Sequence, residues 1–338
     1  MKKFFTLILT VILTISMVFA FGCNNKPKEK QVDVKYYADA QTMLPLLKQG
    51  HLTIGVLPEP AATNLTKMAS DKTWYRIDLQ ELYDGELKAY PQAVIMVKQS
   101  LLATHPEIIS AFTGKINDNV TWAKQNVESA VNSVNSKLPE GVTPSLTAKN
   151  INETVIDNCK IYFENAEQSK LQVKNYIDDI IALESKSANS IKDDFFVTGN
   201  ETGTFNAQEI KVFAPDGAPA ISIAKFIFDN ENFGTDKTFN YQIVEASNIG
   251  SKIQTGAGDI VILPVNAASK LYKANASDSY KMAGVVTHGN LYLMSSIKIE
   301  NLLGLEGQTV GVIGKGLVPD LTFRAILSKN NFIVNEKA

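Results

Sequence analysis

Cysteine is nearly missing from this chain: Cys23 and Cys159 are the only two in 338 residues. A disulfide framework is thereby excluded, and stability has to come from packed apolar cores, which a chain of this length can build. Histidine is as scarce. His51, His105 and His288 lie far apart, and no Cys/His or Asp/His group has metal-ligand spacing. Arginine occurs only as Arg76 and Arg324, so the two-pronged recognition of phosphates and bases by guanidinium groups has few donors. The net charge of −2 exerts no global pull toward nucleic acid or anionic lipid. There is no Gly-x-Ser-x-Gly elbow and no Walker loop, and Gly311-Val312-Ile313-Gly314-Lys315-Gly316 has its glycines in the wrong order for a dinucleotide fingerprint. No catalytic residue, metal or cofactor is expected, and this silence fits binding without chemistry.

Charge is also missing from Phe4 to Phe21, a run preceded by Lys2 and Lys3 and followed by Gly22-Cys23. A basic start, an apolar core and a small residue before Cys describe a bacterial lipoprotein export signal over residues 1–22, with Cys23 as the lipidated first residue of the mature protein. The alternative is an uncleaved membrane anchor, since the run approaches the length of a span. Either reading tethers the body outside the cytoplasm. Residues 23–31 read as a polar tether, and no later stretch is apolar enough to span a membrane.

Beyond the tether, strand-like and helix-like segments alternate. Val32–Tyr37, Leu52–Leu57, Ala93–Val97, Lys211–Ala214, Tyr241–Glu245, Asp259–Leu263, Ala283–Val286 and Val310–Ile313 read as strands. Residues 40–49 read as a helix, and 100–186 as a long helical region opened by a Thr104/Glu107 capping box. Ile108, Phe112, Ile116 and Val120, and later Val173, Ile177, Ile180 and Ile181, form core-facing stripes. Cys159 is expected as a small buried apolar residue. Residues 199–208 are polar, hold two glycines and read as a linker. Such alternation predicts α/β architecture with parallel sheets, whose carboxyl-end turns are where ligands bind.

Four turns stand out: Pro215-Asp216-Gly217-Ala218-Pro219, Pro264-Val265-Asn266, Gly314-Lys315-Gly316 and Pro58-Glu59-Pro60. Each has a bland reading as well. Asp216 and Glu59 are equally suited to capping the helices that follow, the glycines to tight strand–helix packing, and Lys315 to solvation. Asn290, in His288-Gly289-Asn290, fits either a ligand contact or an ordinary turn.

With these turns in hand, the segments IKVFAPDGAPAISIAKFIFD (210–229), LEGQTVGVIGKGLVPDLTFRAIL (305–327), LPLLKQGHLTIGVLPEPAATNL (44–65) and YPQAVIMVKQSLLATHPEIISAF (90–112) resemble the nitrate/sulfonate/taurine and thiamine-precursor substrate-binding proteins of ABC transporters. Family members carry the segment like 210–229 first, and the Pro-Glu-Pro strand and helical tail last. Here that order is inverted, so the chain resembles a circular permutation in which Phe332-Ile333-Val334 runs on into Val34–Tyr37. A gene-level rearrangement with a poorly folding product is the alternative. The resemblance implies a two-lobed type II periplasmic-binding-protein-like α/β fold, each lobe a mainly parallel sheet flanked by helices. One lobe would be assembled from 32–90 plus 297–338 and the other run continuously over 91–296, with hinges near 89–91 and 295–298. It implies cleft residues Asp216, Gly217, Ala218, Asn266 and Asn290 on the continuous lobe, and Asp39, Gln41, Glu59, Lys315 and Gly316 on the other.

The function so implied is an extracytoplasmic lipoprotein that captures a small polar organic solute for an ABC importer permease. It would act as a monomer, without nucleic acid, anchored to the membrane through Cys23. Helix-start turns favour a sulfonate or carboxylate, whereas Asp216 and Glu59 favour an amine or aminopyrimidine. Competing readings are a surface lipoprotein that holds a partner protein and an enzyme like the pyrimidine synthases, whose cysteine cluster has no counterpart here and whose active-site histidine has none near these turns except His288. The anchor is directly testable: Cys23→Ser should move the protein from the membrane fraction to the soluble extracytoplasmic fraction, and a variant still processed and anchored would refute lipidation at Cys23.

Overall fold

Short runs of β-branched and aliphatic residues, each closed by Gly, Pro or Asp, become the strands of this chain. A computed structural model describes residues 30–337 apart from 85, 276 and 277. The export segment, Cys23 and Ala338 lie outside the described residues. The strands are β1 (Lys30–Tyr37), β2 (Ile54–Pro58), β3 (Tyr75–Asp78), β4 (Ala93–Lys98), β5 (Ile161–Asn165), β6 (Glu209–Pro215), β7 (Thr238–Val244), β8 (Ile260–Pro264), β9 (Tyr280–Thr287), β10 (Leu291–Ser295), β11 (Thr309–Ile313) and β12 (Phe332–Lys337).

They form two six-stranded sheets in the orders β12-β1-β11-β2-β10-β3 and β5-β9-β4-β8-β6-β7. In the first, only β10 runs against its neighbours. In the second, β6, β7 and β8 are parallel, while β4 opposes β8 and β9, and β5 opposes β9. Helices flank both sheets, giving a two-lobed α/β fold. The interior strands β2, β4 and β8 are buried almost residue by residue, as sheets covered on both faces require.

The expected helix at 40–49 spans Ala40–Gln49 and is closed by Gly50 in the left-handed region. The stripe Ile108, Phe112, Ile116 and Val120 is buried, as are Val173, Ile177 and Ile180. Other expectations need correction. The region 100–186 is interrupted by β5. The Thr104/Glu107 capping box is absent. The helix breaks at His105, no side chain caps Pro106–Gly114, and the Thr104 hydroxyl instead accepts from the Phe205 N–H. Lys30 and Gln31, assigned to the tether, pair with Phe332 and Ile333. Residues 199–208 contain no helix or strand but are docked on helix Gln99–Thr104, with Phe205 buried and the Gln99 amide donating to the Thr202 carbonyl.

Phe332–Val334 does not run on into Val34–Tyr37. β12 lies beside β1 in parallel, with Lys30 level with Phe332 and Lys35 level with Lys337. The end of β12 is therefore displaced from the start of β1 by about five residues, roughly 17 Å of strand.

Two segments carry the chain between the sheets. One joins helix Leu79–Tyr83 to β4. The other is His288–Asn290, which joins β9 to β10 and falls before the expected 295–298, because β10 belongs to the first sheet. The two crossings lie side by side. The Tyr90 N–H donates to the His288 carbonyl at 3.3 Å and the Gln92 N–H to the Thr287 carbonyl at 2.9 Å. Tyr90 stacks on Tyr176 with ring centroids 5.5 Å apart, and one apolar cluster runs through this region from Val56 and Leu293 to Val94 and Leu263.

Gly289 allows the close approach. Its φ is +93°, and a Cβ there would stand 2.5 Å from the Tyr90 ring and 2.6 Å from Gln80 Cγ. Gly289→Ala should therefore cost about 1–3 kcal/mol of stability from backbone strain alone, measured by denaturant unfolding. An unchanged unfolding midpoint would refute the constraint.

Candidate functional site

The strands β2, β6 and β8 each end in proline, and Pro58, Pro215 and Pro264 face one cavity of about 500 Å³. It sits at the carboxyl ends of these strands, where α/β sheets place ligands. Around it the fold gathers Asp39, Gln41 and Glu59 from the first sheet's turns, Asp216, Gly217 and Ala218 from the turn after β6, and Asn290 from a crossing. Asn266, Lys315 and Gly316 do not line it.

Glu59 is not a free ligand group. Its side chain is fully buried and pairs with Arg76 at 2.7 Å. It also accepts from the Thr63 N–H (3.0 Å), the Thr63 hydroxyl (2.8 Å) and the Asn158 amide (3.1 Å). Glu59 thus both caps helix Ala61–Met68 and neutralises Arg76, whose guanidinium lies 3.5 Å over the Tyr292 ring. The Tyr292 hydroxyl in turn donates to the Asn158 carbonyl at 2.9 Å. Asn158 ends the helix that precedes β5, so this network ties the two lobes together. Neighbouring Cys159 is buried as expected. Burial, then the Glu59 charge, push its thiol well above the usual range, leaving it inert.

Asp216 accepts the Ser145 N–H through Oδ2 at 2.8 Å. Its Oδ1 is buried without a partner, so this carboxylate is half used. Gly217 holds φ at +118°, which turns the chain into the short helix Ala218–Ile221. Asp39 caps helix Ala40–Gln49, accepting from the Thr42 N–H at 2.8 Å, and Gln41 is exposed beside it. The Asn290 amide donates to the Glu59 carbonyl (3.3 Å), and its oxygen accepts from Gln92 (3.0 Å).

The misplaced three have clear reasons. Asn266 is the second residue of helix Val265–Leu271 and turns away, donating to the Ser187 carbonyl. Lys315 pairs with Glu336 on β12, a partner available because β12 lies along β1. The Gly316 N–H donates to Asp320 at 2.8 Å, so the chain's own carboxylate occupies that helix start. Asp320 is fully buried and also holds Arg324 and the Tyr36 hydroxyl, each at 3.0 Å.

Gln92 and Ser145 line the cavity and Arg76 pairs with Glu59 behind it, and the sequence reading missed all three. Gln92 follows Pro91 in a segment already singled out, but its role depends on a crossing 198 residues away. The ionisable residues of the lining are Asp39, Glu59 and Asp216, all acidic, and no aromatic ring is among the described residues that line it.

The buried pair yields a prediction. Arg76→Met should destabilise the fold by about 3 kcal/mol by stranding the Glu59 charge, and adding Glu59→Gln should recover part of that loss. A double-mutant cycle by denaturant unfolding measures it, and additive losses would refute the coupling.

No family model and no curated protein matches the sequence. Solved structures do. The oligopeptide-binding protein AppA from Bacillus subtilis, in complex with a nonapeptide, aligns at 10% identity and TM-score 0.31, over 79% of this chain and 57% of that one. NikA from Staphylococcus aureus, in complex with Ni(L-His)2, aligns at 8% identity and TM-score 0.31 over the same shares. NikA from Brucella suis, in complex with Fe(III)-EDTA, aligns at 8% identity and TM-score 0.29. The chain spans little more than half the length of the structures it matches.

Proposed function

We propose that this chain is an extracytoplasmic receptor, anchored through Cys23, that closes two lobes around a small polar organic solute and delivers it to an ABC importer as a monomer. The observation that carries the reading is the convergence in one cleft of Asp39, Gln41, Glu59, Asp216, Gly217, Ala218 and Asn290, drawn from both sheets and from a crossing. Two adjacent crossings behind a cleft suit a hinge motion driven by contacts to both lobes. Neither His nor Cys is among the described lining residues, which supports binding over the pyrimidine-synthase chemistry. His288 is buried against Tyr162 at 3.6 Å and Glu164 at 3.1 Å instead.

The reading includes the permuted order, with lobes built from 32–90 plus 297–338 and from 91–296, apart from the shifted second crossing. The first sheet supports a discontinuous lobe, because β11 and β12 pair with strands whose residues lie below 80, and β10 lies between β2 and β3.

One experiment addresses both parts. The chain is opened within 199–208, the end of β12 is joined to the start of β1 by about eight flexible residues to cover the reversed strand length, and both forms are melted with a library of small solutes. A receptor should gain about 2.7 kcal/mol at a hundredfold excess over Kd, and the reordered form should respond to the same solutes. A stable native form that responds to no solute would overturn the receptor; a reordered chain that never folds would overturn the permutation.

A further inference from the structure

We infer that the solute this cleft takes presents hydrogen-bond donors, as a small aliphatic ammonium or amino compound does, and is not captured through a sulfonate or carboxylate. The inference rests on the receptor reading and deepens it.

The first support is the polarity of an amide relay. The Glu59 carbonyl can only accept, so Asn290 must turn its Nδ2 toward it. That leaves Asn290 Oδ1 to accept from Gln92 Nε2. Gln92 must then present Oε1 on its remaining side, whichever way an isolated amide might be drawn. Gln92 Oε1 is buried and without a partner, and so is Asp216 Oδ1. Both residues line the cleft. Two fixed acceptors without donors are costly to bury. Opening the lobes returns them to water, and closing around N–H groups satisfies them.

The second support is what an anion would meet. The helix start after β11 has given its Gly316 N–H to Asp320, and Lys315 is turned to Glu336. Arg76 is spent on Glu59. Of the charges on the lining, Glu59 is offset by Arg76 and the two carboxylates Asp39 and Asp216 remain, with no cation among the described lining residues, beside the neutral Gln41, Asn64, Ser145 and Asn150 and between prolines and alanines. An anion would enter against that charge. Among the described residues the walls also lack the ring on which an aromatic solute stacks, so an aliphatic frame fits them better.

The test uses the full chain in mild detergent and three matched probes: propylammonium, propanesulfonate and propionate, titrated by calorimetry at one salt concentration. Propylammonium should bind at least about tenfold tighter than either anion. Asp216→Asn, which keeps an oxygen for the Ser145 N–H, should weaken it about ten- to a hundredfold with an unchanged melting temperature. Tighter binding of either anion would overturn this inference and leave the receptor standing. A variant that binds propylammonium as well as the native chain would also overturn it. If no probe binds and the wider solute library is equally silent, both readings fall together.

Discussion

Everything in this molecule that faces the cleft depends on two crossing segments held at backbone distance. Tyr90 and Gln92 lie against His288 and Thr287, and Gly289 permits that distance because any side chain there would overlap the Tyr90 ring. From this contact the amide relay through Gln92 and Asn290 extends to Glu59. Asp216 approaches from the opposite lobe. The orientation of the site is therefore decided at the crossings, and only afterwards by the turns that carry the remaining lining residues.

Two motifs that read as ligand groups turn out to be satisfied internally. Glu59 has three donors and an arginine; Gly316 has Asp320. In each, a buried carboxylate is matched by a long basic side chain, Arg76 on β3 for Glu59 and Arg324 one turn along the same helix for Asp320, as low-dielectric surroundings demand. Arg76 and Arg324 are the chain's only arginines, and both are committed to this task. Scarcity of arginine, which in the sequence spoke only against phosphate recognition, is in the fold the reason no guanidinium is left for a solute.

Much of the fold was legible because strands buried on both faces are written as continuous apolar runs. β2, β4, β8 and β11 fall where those runs do. The strands that escaped lack that signature. β3, Tyr-Arg-Ile-Asp, alternates with charge. β10 follows β9 after only three residues, so periodicity carries no mark of the change of sheet. β5 hides between helices. Within the site, Asp216, Gly217 and Ala218 were readable because the turn after a strand is a local event. Arg76 was not, because its pairing with Glu59 requires β10 to lie between β2 and β3. The same nonlocality defeated Lys315, whose partner Glu336 reaches it only through β12, and Gln92, whose free oxygen is defined by an amide 198 residues away.

The placement of β12 along β1 carries a temporal consequence. β1 is made first among the described strands, yet both of its neighbours, β11 and β12, are made last, and contacts such as Asn335 to Asp33 join residues 302 apart. The first sheet cannot close until nearly the whole chain has been synthesised, while β4 to β9 can assemble from within a single stretch. Such distant pairing carries a large loop-closure penalty and slows folding. One half of the molecule is thus built to wait as an open chain beside a half that can already have closed.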